Sequence, residues 1–281
     1  MTPAATPAQV VTESLGGSPL SRAIQAGTLP PGLQPWRPAS AQEWSEHVSR
    51  ARDRFGSDAR WYADLEAAIR PGGEAARRLA RVVAERGVVV TTGQQPGLFG
   101  GPVYTIAKAL TALALADTIE ERTGVPAAPL FWAATDDADF LEASVAHVAD
   151  GEGLRELRLT AGPPAGTPMS EAPLSRPEMK TLVAQLRKAC GSVPHSRYLD
   201  VAVSAFSGSK TLGGAYVELL RALLEPLGIP VLDASHEAYR RAARPIVSEA
   251  LERAPALETA LAGTTGALRA AGFETQVQDD R

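Results

Sequence analysis

The chain has 281 residues, 44% of them hydrophobic and 21% charged, which is core-forming material for one large or two modest domains. A formal net charge of −4 argues against nucleic acid as a partner, because phosphate recognition needs a basic footprint. Cys190 is the single cysteine, so an internal disulfide and a thiolate zinc cage are both excluded. No run approaches the roughly 18 apolar residues of a membrane span, and the N-terminus lacks the charged-then-apolar pattern of a secretory signal. The expected location is the cytoplasm.

Residues 1–40 are rich in Pro, Gly and Ser and read as an arm packed on a domain, with one apolar stretch, SPLSRAIQAG. Ser40 followed by Glu43 is a capping-box pattern that opens a helix. Helical sequence continues through DARWYADLEAAIR, breaks at PGG, and resumes as EAARRLARVVAERG, closed by Gly87. VVVTT is a β-branched run of buried-strand type, ended by GQQPG. From Pro102 to about Arg122 a helix is predicted, with Ile106, Leu110 and Leu113 on its apolar face; after Gly124 and Pro126, APLFWAA reads as a second buried strand. Strand, helix and strand make a βαβ unit with parallel strands and a right-handed crossover.

The phrase returns in LGGAYVELLRALLEPLGIPVLDAS, where helix, Gly228 and a short strand lead to Asp233. Between the two phrases, LRELRLT is predicted as an edge strand, EMKTLVAQLRKAC as a helix, and DVAVSAFSGS as a strand or extended linker. The fold expected is α/β, a parallel sheet flanked by helices. Its parts are an arm (1–40), the first part of the core (41–150), an inserted connecting segment (151–208) and the second part of the core (209–281). The closing ETQVQDDR reads as an extended segment that starts and then stops, so the chain is expected to be a fragment of a longer one.

Ligands of an open parallel sheet bind beyond the carboxyl ends of its strands. That topology puts TGQQPGLFGGP and TDDADF on one rim, with Asp233 as a further acidic position. Gly93, Gly97, Gly100 and Gly101 permit tight backbone paths, and bare N–H groups ahead of a helix make an anion site. Gln94 and Gln95 supply uncharged donors and acceptors suited to hydroxyls or a carboxylate. Tyr104 and Lys108 are four apart, hence on one helical face, where the lysine either neutralises an anion or is simply solvated. Neither the dinucleotide fingerprint nor the P-loop is matched. Asp136, Asp137 and Asp139 suit Mg²⁺, general-base work or hydrogen bonds to a sugar or ammonium group. Equally, Thr135 or Asp136 is placed to cap a helix, and Asp233 has the same ambiguity because Ser235 and Glu237 follow it. Ser207 and Lys210 have the spacing of a Ser–Lys hydrolase without its other motifs and read as linker. His47, His147, His195 and His236 show no metal-ligand spacing.

The blocks TTGQQPGLFGGPVYTIAKAL and VPAAPLFWAATDDADFLEA closely resemble the bacillithiol biosynthesis cysteine-adding enzymes. SPLSRAIQAG, KTLGGAYVELLRALLEPLGIPVLDASH and AGFETQV resemble further landmarks of that family in the same order. The resemblance implies a Rossmann-like core with inserted connecting segments, in a longer protein that dimerises through a C-terminal coiled coil. It implies a ligase that joins the carboxyl group of cysteine to the amine of glucosaminyl-malate, with a nucleotide-binding pocket for which ATP or ADP is expected; Mg²⁺ is an expectation from the three carboxylates alone. Thr92, Gly93, Gln94, Gln95, Gly97, Tyr104 and Asp233 would then hold substrate. Lys108 would pair with carboxylates or an acyl phosphate, and Asp136, Asp137 and Asp139 would orient the amine or take its proton. Two blocks depart from the family pattern. Glu-Asp-His-Asp-Phe is here Asp136-Asp137-Ala138-Asp139-Phe140, and Gly-Asp-Trp is Gly213-Gly214-Ala215. These departures leave two other readings open: a different ATP-dependent carboxylate–amine ligase or nucleotidyltransferase, and a catalytically impaired ligand-binding fragment.

Overall fold

The computed structural model describes residues 16–33, 38–55, 60–191 and 196–275. Residues 1–15, His195 and the closing QVQDDR therefore lie outside the described residues. The chain divides into two compact units, Pro38–Pro245 and a smaller one made of Met1–Arg37 and Ile246–Arg281. In the smaller unit, α1 (Pro19–Ala26) starts where the Ser18 hydroxyl accepts the Ser21 N–H at 3.1 Å and ends at a left-handed Gly27.

The larger unit opens with α2 (Ala41–Phe55). Half of the capping box forms as expected, Ser40 Oγ accepting the Glu43 N–H at 3.2 Å, while the Glu43 carboxylate reaches one residue further back and accepts the Ala39 N–H at 2.7 Å. α3 (Arg60–Ile69) and α4 (Gly73–Ala84) follow. The left-handed residue closing α4 is Arg86 (φ 55°) rather than Gly87. Then come β1 (Val88–Gln94), a 3₁₀ turn at Leu98–Gly100, α5 (Tyr104–Thr123) and β2 (Ala127–Ala133). After the short α6 (Phe140–Ala143), β3 (Val145–Asp150) and β4 (Gly153–Arg158) pair antiparallel as a separate hairpin. β4 is thus not an edge of the parallel sheet. Its turn is set by Asp150, whose Oδ1 accepts the N–H groups of Glu152 and Gly153 and whose Oδ2 accepts from Arg155.

α7 (Arg176–Cys190), α8 (Ser196–Gly208) and α9 (Leu212–Leu224) precede β5 (Val231–Asp233) and α10 (Glu237–Glu252); α11 (Ala254–Ala270) lies in the smaller unit. α8 corrects the expectation of an extended segment at 200–209. Its alternating valines and alanines satisfy a period of two, but Leu199, Ala202 and Phe206 recur at helical spacing and pack into the core of the insertion.

The sheet has the order β1-β2-β5 and is parallel throughout. Odd residues of β2, Phe131 and Ala133, pack with Ala109 of α5 and Tyr216 and Leu220 of α9 on one face. Even residues, Ala128 and Leu130, meet Ile69 of α3 and Leu79 and Val82 of α4 on the other. β2 is therefore buried on both faces, whereas β1 is an edge strand and mostly half-buried. Pro129 sits in the central strand at no cost to the ladder. Odd residues of β2 address the β5 side, where Phe131 N–H donates to Pro230 O at 2.9 Å, and β5 begins only at Val231. α5 turns Thr105, Ala109, Ala112, Ala116 and Ile119 inward, while Leu110 is 44% exposed. Alanines supply most of the buried positions of α5, and Ile106 and Leu113 pack against the sheet cluster as expected.

Candidate functional site

Register places the ends of all three strands together: Gln94 lies beside Ala133, and Ala133 beside Asp233. Three chain segments therefore leave the sheet at one rim. The first turns on itself. Gly100 N–H donates to Gly97 O at 3.0 Å and Gly101 N–H to Leu98 O at 3.2 Å. A Cβ on Gly97 would stand 2.5 Å from Gly101 Cα, so the two backbones touch and no side chain fits. Phe99 is held in the left-handed region (φ 53°), with its ring 5.0 Å from that of Phe206. The expected cradle of outward amides is thus partly consumed by the turn itself.

The glutamines are linked end to end. Lys108 Nζ donates to Gln94 Oε1 at 2.7 Å, Gln94 Nε2 to Gln95 Oε1 at 2.5 Å, and Gln95 Nε2 to Glu142 Oε2 at 2.9 Å. Lys108 also lies 5.2 Å from the Tyr104 ring centre, and Gln94 is buried. Beside them, a cavity of about 310 Å³ is lined by Thr92, Tyr104, Lys108 and Thr111 along the β1 edge. A second cavity of about 560 Å³ lies against the α3–α4 turn, near Arg70, Gly72, Arg221 and Glu225. There Arg221 caps the carbonyls of Ala68 (3.1 Å) and Ile69 (3.2 Å), which gives that cluster a structural task. Of the linked array only Lys108 lines the smaller cavity, whose other walls are largely apolar (Val90, Ala107, Ala112 and Leu115), so the polar groups at the strand ends, rather than either cavity, are the site candidate.

The second segment is an acidic turn in which two of the three carboxylates hold backbone amides. Asp137 Oδ1 accepts the Asp139 N–H at 2.7 Å, and Asp139 Oδ1 accepts the Glu142 N–H at 3.0 Å. Asp139 is thereby the cap of α6, a role expected of Thr135 or Asp136. Asp136 is exposed on the rim and contributes, after burial, to pushing the nearby Tyr239 phenol up; Tyr239 in turn packs 5.2 Å from the Trp132 ring. Thr135 is buried and donates its hydroxyl to Asp233. Asp233 Oδ1 also accepts the Ser235 hydroxyl at 2.9 Å and the Ser235 N–H at 3.1 Å. It therefore ties β5 to the loop after β2, and the capping of α10 falls to His236, whose Nδ1 accepts the Ala238 N–H at 3.1 Å.

The inserted segment braces this turn. Met169 N–H donates to Asp137 O and Ser170 N–H to Thr135 O, both at 2.8 Å, and Gly213 N–H donates to Met169 O at 2.8 Å. A Cβ on Gly213 would meet Ser170 N at 2.8 Å, so the brace requires glycine there. Sequence reasoning marked Gln94, Gln95, Lys108 and the aspartates but missed Glu142 and the brace. Glu142 carries no motif of its own, though its position three after Asp139 is a capping signal.

A phosphate group needs several amides or cations converging on one point. Here Gly100 and Gly101 donate within the turn and Lys108 is bound to Gln94. Among the described residues no three His, Cys, Asp or Glu side chains gather as a metal site. Two amides of the loop, those of Gly100 and Gly101, are thus occupied within the turn, and the nucleotide and Mg²⁺ stay expectations of the sequence.

Sheet, crossover helix and ligand rim define a Rossmann-like domain with a polar site at the strand ends. Residues 36–281 match the family model described as "Bacillithiol biosynthesis BshC, N-terminal Rossmann-like domain". The chain belongs to that family. It is 36% identical over 219 residues to a protein of Solibacter usitatus named "Putative cysteine ligase BshC", covering 76% of this chain and 40% of that one. A Heliobacterium modesticaldum protein of the same name is 30% identical over 77% of this chain and 40% of its own length. One from Salinibacter ruber is 27% identical over 86% and 42% respectively. The matched part thus spans about 40% of the length of these curated relatives.

Proposed function

We propose that this chain supplies the substrate-holding rim of a carbon–nitrogen ligase that adds cysteine to glucosaminyl-malate in bacillithiol biosynthesis. The observation that carries the reading is the linked array Lys108–Gln94–Gln95–Glu142, set at the carboxyl ends of parallel strands beside an acidic turn. The malate half is a dicarboxylate and the sugar half a polyol. Lys108 offers charge for the first, and the second protons of the two glutamine amides offer donors for the second. Amide formation joins the cysteine carboxyl carbon to the sugar nitrogen; a bond from that carbon to oxygen breaks, the oxygen leaving on the group that activates it, such as the phosphate of an acyl phosphate, and the nitrogen sheds a proton. Asp137 and Asp139 each use Oδ1 on a backbone amide, which leaves the other oxygen to hold the amine or take that proton. Small-molecule substrates, rather than nucleic acid, fit this rim and the net charge of −4. No helix among the described residues is long and apolar enough to cross a membrane. Dimerisation is assigned to the longer form of the protein.

A second reading rests on Ala138, which is exposed within the acidic turn where the family pattern has histidine. On that reading the rim binds substrate without turnover. Calorimetric titration of glucosaminyl-malate into wild type and Gln94→Ala tests the shared premise. Binding that the substitution weakens at least tenfold supports it, and equal affinities remove Gln94 from the site. Turnover by the wild type separates the ligase from the binding-only reading.

A further inference from the structure

Lys108 can only donate hydrogen bonds and an ionised glutamate can only accept them. Between two such ends, a pair of side-chain amides has one fully satisfied direction. Gln94 must turn Oε1 to the lysine, Gln95 must turn Oε1 to Gln94 Nε2, and Gln95 Nε2 must face Glu142, as the three bonds run here. Glu142 reaches Gln95 because α6 is anchored: its N–H is held by Asp139, whose own N–H is held by Asp137.

We propose that Glu142 is a positioning residue. Its carboxylate fixes the Gln95 amide and, through it, Gln94, so that the rim presents one set of donors to the ligand. The ligand part of this inference rests on the proposed function; the orientation part does not. Glu142 is exposed and makes its side-chain bond at the rim, so replacing it removes an orienting group and no core contact.

The test is the side-chain amide spectrum of ¹⁵N-labelled protein, read beside titration with glucosaminyl-malate. In wild type the Gln94 and Gln95 side-chain protons should be dispersed and slow to exchange. Glu142→Ala should collapse the Gln95 pair and shift the Gln94 pair, although Glu142 does not touch Gln94. Glu142→Asp, one methylene short, should restore little, whereas Glu142→Gln should restore much, because its carbonyl still accepts from Gln95. Affinity should fall about tenfold in Glu142→Ala, the scale of one charge-assisted bond, with the melting temperature unmoved. Unchanged Gln95 and Gln94 signals in Glu142→Ala would overturn the inference, as would lost signals with unchanged affinity. A wild type that shows the expected spectra but does not bind counts against the proposed function while the orientation stands.

Discussion

The hydroxyl of Thr135 donates to the carboxylate of Asp233, tying the loop after the central strand to the end of β5 across 98 residues of sequence. The same hydroxyl oxygen accepts the Ser235 N–H at 3.0 Å, so this buried threonine makes two bonds to the segment where β5 ends. Thr135→Val keeps the shape and deletes both bonds. It should cost about 1–3 kcal/mol, the range for orphaning buried partners, and Thr135→Ser should recover most of it. Urea denaturation of the three proteins measures this, and a valine variant as stable as wild type would show that the tie is not needed.

Lys108 is exposed on the face of α5 and bonds to Gln94 at 2.7 Å. If its charge meets the malate carboxylates, Lys108→Met should weaken glucosaminyl-malate binding by about ten- to a hundredfold at low salt. The affinity left should then depend less on salt, because an exposed charge pair is screened. Titrations at about 50 and 500 mM salt check both effects. An unchanged salt slope would put the lysine outside the contact.

Two glycines give opposite expectations for the same substitution. Gly213→Ala would place a Cβ 2.8 Å from Ser170 N and 2.9 Å from the Met169 carbonyl. Both are backbone, so the brace must move, and the loss should be about 1–3 kcal/mol or more, together with weaker ligand binding, since Met169 and Ser170 hold the Asp137 and Thr135 carbonyls. Gly263 lies within α11, where an added methyl would meet nothing inside 4 Å, so Gly263→Ala should instead stabilise by about 0.4–1 kcal/mol. Denaturation midpoints of the pair decide; a neutral Gly213→Ala would mean that the brace yields freely.

Local signals made the βαβ unit readable. Val88–Val90, the Gly124 stop and the run APLFWAA each point to one element, and β1, α5 and β2 lie where those signals put them. The rim was readable because strand ends concentrate odd residues, and Gln94 and Asp233 do end on either side of Ala133, just before the acidic turn. What escaped depended on distance in sequence. That the β3–β4 ribbon stands apart from the main sheet, that Leu110 turns outward from α5, and that Met169 and Ser170 grip the acidic turn are all tertiary facts. The helix at 196–208 was hidden by valine and alanine at alternate positions, a pattern two periods can claim until Phe206 finds its core.

Glu225 gives the fold a pH term with an unusual sign. Its side chain is 18% exposed beside Arg221, and burial raises its pKa above the ordinary 4.5, with the Arg221 charge and a bond from the Gly72 amide opposing. A carboxyl raised in the folded state holds its proton there after the unfolded chain has released it. Stability from this group is therefore fully present below the unfolded value near 4.5 and is lost as pH rises through the folded value. Glu225→Gln cannot titrate and lacks the term. The advantage of wild type over the variant should be greatest below about pH 4.5 and shrink toward neutrality, read from urea unfolding at several pH values. An advantage that instead grows toward neutral pH would mean that the pairing with Arg221 outweighs burial and that the folded pKa lies below the unfolded one.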